Sequence, residues 1–109
     1  MITIEQAKEE NTAEAWRQAY YSTEERSLEE LLCREKSIEC AEKENTAIAW
    51  LHAYHITERA SQEEQFCIDN IFSCAHKENT VQAWEYAHCA SEQDPSDEKF
   101  CLEQILSLR

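Results

Sequence analysis

Six cysteines and four histidines are the side chains of this 109-residue chain best suited to metal, redox or nucleophilic chemistry. The cysteines fall as two C-x6-C pairs, Cys33 with Cys40 and Cys67 with Cys74, with Cys89 and Cys101 separate. Seven residues along a helix put two side chains on one face but about 10 Å apart. A disulfide needs Cα atoms within roughly 7 Å, and a zinc knuckle needs closer spacing in sequence. The spacing therefore predicts reduced, buried thiols. His52 and His55 lie three residues apart, and His88 with Cys89 follow one period later. These four are the one candidate set for a transition metal, but no HExxH helix accompanies them, so polar surface is the expectation. The 23 acidic residues form no recognisable acid–base pair. Runs such as "STEER" (Ser22–Arg26) and "SEQDPSDE" (Ser91–Glu98) read as solvated connections and helix starts.

Glycine is absent, which removes the phosphate-cradling loop, the GxGxxG dinucleotide turn and the GxSxG nucleophile elbow. Each needs a residue without a Cβ at a strained position. Neither an enzyme nor a bound cofactor is expected. The net charge of −13 works against direct contact with nucleic acid, whose phosphates call for a basic face. It disfavours an anionic membrane surface equally. No apolar run reaches the ~20 residues of a bilayer span. The N-terminal "MITIEQAKEE" carries no secretory pattern, so a cytoplasmic location, in the source cell or a host cell, is expected. A hydrophobic content of 42% with three Trp, four Tyr and three Phe argues for one domain with a packed core.

The elements that position these residues recur. "ENTAEAW" (Glu10–Trp16), "ENTAIAW" (Glu44–Trp50) and "ENTVQAW" (Glu78–Trp84) start 34 residues apart. In each, Asn11, Asn45 or Asn79 stands where a helix N-cap is expected. Glu14 and Gln82, three residues on, complete capping boxes in the first and third copies. Thr12, Ala15, Trp16 and Ala19 then trace one helical stripe, repeated from Thr46 to Ala53 and from Thr80 to Ala87. A second helix follows each time, started by Ser27 ("SLEE"), Ser61 ("SQEE") or Asp94 with Pro95 at its first position. Leu32, Phe66 and Phe100 fall in register on these helices, as do Cys33, Cys67 and Cys101, and Ile38, Phe72 and Leu106.

The expected fold is all-α. A short cap helix (residues 3–10), where Ile4 and Ala7 align with Ile38 and Ala41, precedes three stacked antiparallel hairpins. The repeats cover about 11–44, 45–78 and 79–109 of a single domain. The motif reads as scaffold, with Trp locking one helix to its neighbour.

A 34-residue helix–turn–helix with an early Trp and the "AEAW" and "AIAW" segments resembles the tetratricopeptide repeat family over nearly the whole chain. The small residue that the family places four after the Trp is here Tyr20, Tyr54 or His88. The resemblance implies an α-solenoid that binds a protein or peptide through its first helices, as an adaptor, chaperone or inhibitor. The columns Glu14, Arg17, Tyr21; Ile48, Leu51, His55; and Gln82, Glu85, Cys89 would line that surface. The alternative reading of the charge is an acidic mimic of nucleic acid that occupies a DNA- or RNA-binding protein. On the last helix, apolar residues including Leu102 and Ile105 spread beyond one side. They form an expected contact with a partner or with a second copy in a homodimer.

Overall fold

A computed structural model describes residues 2–91 and 94–109. Glu92 and Gln93, within the acidic run before the last helix, lie outside the described residues. The described residues form seven α-helices and no strand: α1 (Ile4–Glu10), α2 (Ala13–Tyr20), α3 (Leu28–Glu44), α4 (Ala47–Tyr54), α5 (Gln62–Glu78), α6 (Val81–Cys89) and α7 (Pro95–Leu108). The all-α expectation holds.

The repeated motif starts its helix one residue later than the sequence suggested. Thr12, Thr46 and Thr80 are the N-caps: each is extended and accepts, through its side chain, the amide of Ala15, Ala49 or Ala83. Asn11, Asn45 and Asn79 instead close the preceding helices in the left-handed conformation, with φ of 49°, 49° and 45°. Their amides donate back to the carbonyls of Ala7, Ala41 and Ala75 at 2.7, 2.7 and 2.8 Å. Asn is among the few residues that enter this region at low cost, and it does so here in place of glycine. The capping boxes expected at Glu14 and Gln82 accordingly do not form, because the third helical position now falls on alanine.

The connections from α2 to α3 and from α4 to α5 follow a second rule. Ser27 and Ser61 cap α3 and α5, accepting from the amides of Glu30 and Glu64. The glutamate half of the expected box reaches one residue further back. Glu30 Oε2 accepts from the amide of Arg26 at 3.1 Å, and Glu64 Oε1 from that of Ala60 at 3.2 Å. Arg26 and Ala60 both have φ of 61°, so each glutamate holds a backbone turn that carries a Cβ penalty. Asp94 caps α7, and Pro95 occupies its first turn as expected.

The short helices α2, α4 and α6 lie side by side, α2 against α4 and α4 against α6. α3 packs on α2 and α4, α5 on α4 and α6, α7 on α6, and α1 on α2. Trp16, Trp50 and Trp84 are all buried, as are the alanines that flank them. Ala7, Ala41 and Ala75, one period apart, are fully covered. Small residues let the helix backbones approach while the indoles fill the remaining space. Phe66 stands edge-on to Trp50 at 5.4 Å and Phe100 to Trp84 at 5.5 Å, which explains why an aromatic recurs sixteen residues after these tryptophans.

Candidate interaction surface

The polar atoms of the repeated motif are spent on the fold. Each Trp Nε1–H donates to the Oδ1 of the Asn five residues earlier: Trp16 to Asn11 at 3.2 Å, Trp50 to Asn45 at 3.3 Å and Trp84 to Asn79 at 3.2 Å. Two of these oxygens also receive a thiol, Cys40 on Asn11 at 3.3 Å and Cys74 on Asn45 at 3.5 Å. Glu44 Oε2 accepts from the amide of Ala13 at 2.8 Å, and Glu78 Oε2 from that of Ala47 at 2.7 Å. The end of each long helix thus satisfies an otherwise unpaired first-turn donor of the short helix beside it. The thiol and glutamate contacts span 29 to 31 residues of sequence, and spacing within one copy gives no sign of them.

The thiols are poorly placed for chemistry. Cys33, Cys40, Cys67, Cys74 and Cys101 are free and buried, while Cys89 is free and exposed. Burial, with Glu63 and Glu64 nearby, pushes the Cys67 thiol up to about 12. Burial and then Asp97 push Cys101 up to about 11 against a hydrogen bond from Ser91 that lowers it. Burial raises Cys33, Cys40 and Cys74 as well. Thiols held this way stay protonated near neutral pH and are weak nucleophiles and ligands. Among the described residues no group of three or more His, Cys, Asp or Glu side chains is arranged to hold a metal.

His52 is engaged with the neighbouring helix. Arg17 Nη1 donates to its Nδ1 at 3.0 Å, bridging α2 and α4. Burial first, and the Arg17 charge second, lower the His52 pKa against the opposing influence of Glu14 and Glu44. Arg17 also donates through Nε to the Tyr21 hydroxyl at 3.3 Å, with its guanidinium 5.8 Å from that ring. Along α2, α4 and α6 and at their ends, Glu14 and Tyr21, then His55 beside half-buried Ile48, then Gln82, Glu85 and Cys89 remain exposed.

Two residues expected on an open surface are not on one. Leu51 is only 6% exposed, because α4 is flanked by both α2 and α6, and its side chain belongs to the core. Ile105 is 7% exposed, on the side of α7 turned into the core. The apolar edge of α7 consists instead of Leu102, Leu106 and Leu108, and Arg109 reaches from its end to Glu85 at 3.5 Å.

The sequence reading missed Arg34. Its Nε donates to the Ile56 carbonyl at 2.7 Å, Nη1 to Glu58 at 3.2 Å and Nη2 to the Tyr20 hydroxyl at 3.1 Å, and Nη2 also pairs with Glu30 at 3.0 Å. One planar guanidinium thereby ties α2 and α3 to the connection between α4 and α5. Also missed were Leu28 and Leu31, which stand exposed on α3. Their signal was in the sequence: both are apolar where the next repeat has Gln62 and Gln65.

Among the described residues no helix is long and apolar enough to cross a membrane. No protein-family model, curated protein or solved structure matches the chain significantly.

Proposed function

We propose that the chain is a stack of three helical hairpins behind a short cap helix, similar in plan to tetratricopeptide repeats. Its role in this reading is to bind a protein or peptide without catalysing a reaction. The observation that supports it most is the division of labour along the motif. Asn, Thr and Trp of each copy, and Glu44 and Glu78 of the second and third, are committed to contacts that recur every 34 residues, whereas the outward positions of α2, α4 and α6 change chemistry from copy to copy. Tyr21, His55 and Cys89 occupy one such position, and Glu14, Ile48 and Gln82 another. A scaffold that repeats its backbone contacts and varies its surface suits recognition of an irregular partner.

The proposed binding side is that of Glu14, Arg17, Tyr21, Ile48, His55, Gln82 and Glu85. The experiment is affinity capture from the native cell, comparing wild type with a Tyr21→Ser/Glu85→Arg variant. A protein retained by wild type and lost from the equally stable variant is the expected result. A captured set identical for the two proteins would remove this side as the binding surface.

A further inference from the structure

A groove of about 250 Å³ lies between α3 and the start of the next pair, with Leu31, Arg34, Ile38, Thr57, Glu58 and Glu63 among its walls. Leu28, Leu31, Glu35 and Ile38 follow one stripe of α3 at i, i+3, i+7 and i+10. Leu28 is 86% exposed and Leu31 50%. The repeat supplies an internal comparison. The next long helix, α5, starts in the same way from a serine cap and packs between short helices in the same way, yet it carries Gln62 and Gln65 at these two positions. α7 carries Ser96 and Lys99. The corresponding groove beside α5 is lined by Gln65, Ile68, Ser91 and Asp97. Folding such a helix therefore does not call for leucine at either place. Exposed leucines that the fold does not use mark a contact with something else.

The rim specifies what that is. Glu35, Glu58 and Glu63 surround the apolar floor, and Arg34, the one cation among the described lining residues, is occupied by Glu30, Glu58, Tyr20 and the Ile56 carbonyl. Glu35 and Glu63 make no salt bridge among the described residues. With a net charge of −13 behind them, these carboxylates favour lysine or arginine and repel acidic segments.

We infer that this groove receives a basic amphipathic helix of a partner protein, one large apolar side chain seated between Leu31 and Ile38 and lysines or arginines facing Glu35 and Glu63. This deepens the interaction-module reading and rests on it, but uses a different surface from that of α2, α4 and α6.

The probe is a short synthetic helix with leucines along one face and lysines on its flanks, titrated against the full chain and followed by methyl and amide NMR. The expected result is saturable binding with shifts centred on Leu31, Ile38 and Thr57. Affinity should fall at least about tenfold in a Leu28→Gln/Leu31→Gln variant, as loss of two buried leucine contacts implies. That variant copies the residues of α5, so its thermal midpoint should be unchanged. Glu35→Gln/Glu63→Gln should weaken binding and flatten its salt dependence. A lysine–serine helix that binds equally well would reduce the effect to bulk charge and overturn the inference. So would undiminished binding to the glutamine variant, or shifts confined to α2, α4 and α6, an outcome that leaves the interaction-module reading standing. If wild type is a dimer that the glutamine variant makes monomeric, the occupant is a second copy and the inference is wrong.

Discussion

Asn45 closes α3 in the left-handed conformation and, with the same side chain, accepts the indole proton of Trp50 at 3.3 Å. One residue thus ends a helix, fixes the rotamer of the core aromatic in the next helix and receives the Cys74 thiol from a third. Replacing it separates these roles. Asn45→Gly keeps the backbone conformation and leaves the buried indole donor unpaired, a cost of about 1–3 kcal/mol. Asn45→Ala adds the left-handed Cβ penalty of about 1 kcal/mol. Urea melts should rank wild type above Gly above Ala. Equal midpoints for the two variants would mean that the backbone conformation is not what asparagine supplies.

Ala60 has φ of 61° on an exposed turn, in a chain without glycine. Ala60→Gly removes the steric penalty and loses little packing. A gain of up to about 1 kcal/mol is expected after the greater freedom of glycine in the unfolded chain is subtracted. A lower melting midpoint would contradict the described turn.

That turn also shows what was legible in the sequence. The 34-residue period, the Trp–Ala stripe and the serine caps were readable because each is local and repeated three or two times. The choice between Asn and Thr as N-cap was not. Both residues cap helices and stand adjacent, and the decision depends on an indole and a thiol arriving from other helices. Leu51 was legible in part: an apolar residue on the middle short helix is what covering on two sides calls for. Its register with Arg17 and Glu85 in the outer copies also put it in the partner-facing column, and flanking by α2 and α6 makes it core. Apart from the Glu30 pair on the same helix, the Arg34 contacts join segments 14 to 24 residues apart, with no repeat to announce them, since Ile68 and Leu102 replace the arginine later.

The cysteines supply a chemical test. At mildly alkaline pH, alkylation of the native protein should modify Cys89 first, and the other five only after denaturation. Burial raises the Cys67 pKa from 9.0 to about 12. The unfolded chain therefore loses that proton near pH 9 while the folded chain retains it. The resulting stability is full below pH 9 and declines as pH rises from 9 toward 12. Cys67→Ala should make the alkaline loss of stability shallower. Rapid native labelling of Cys67 would contradict its placement.

On α7, Ile105 and Leu102 are three residues apart and should behave oppositely. Ile105→Glu puts a carboxylate into the core and should unfold the chain or cost several kcal/mol, about 3 or more. Leu102→Glu, at a position 44% exposed, should change stability by no more than about 0.5 kcal/mol. Comparable losses in circular-dichroism melts would mean that both faces of α7 are covered. If Leu102→Glu keeps the fold but lowers the solution mass, that edge is where two copies meet.

Binding through the outward side of α2, α4 and α6 is the function proposed above for this scaffold. The most direct measurement is a calorimetric titration of the captured partner into wild type and into the Tyr21→Ser/Glu85→Arg variant, at matched stability and at two salt concentrations. Expected are a defined stoichiometry with wild type and at least about a tenfold weaker affinity for the variant, the loss that removal of well-packed interface side chains ordinarily produces. Affinity unchanged by the two substitutions, and abolished by salt alone, would contradict the proposed function and leave the acidic charge as the whole of the attraction.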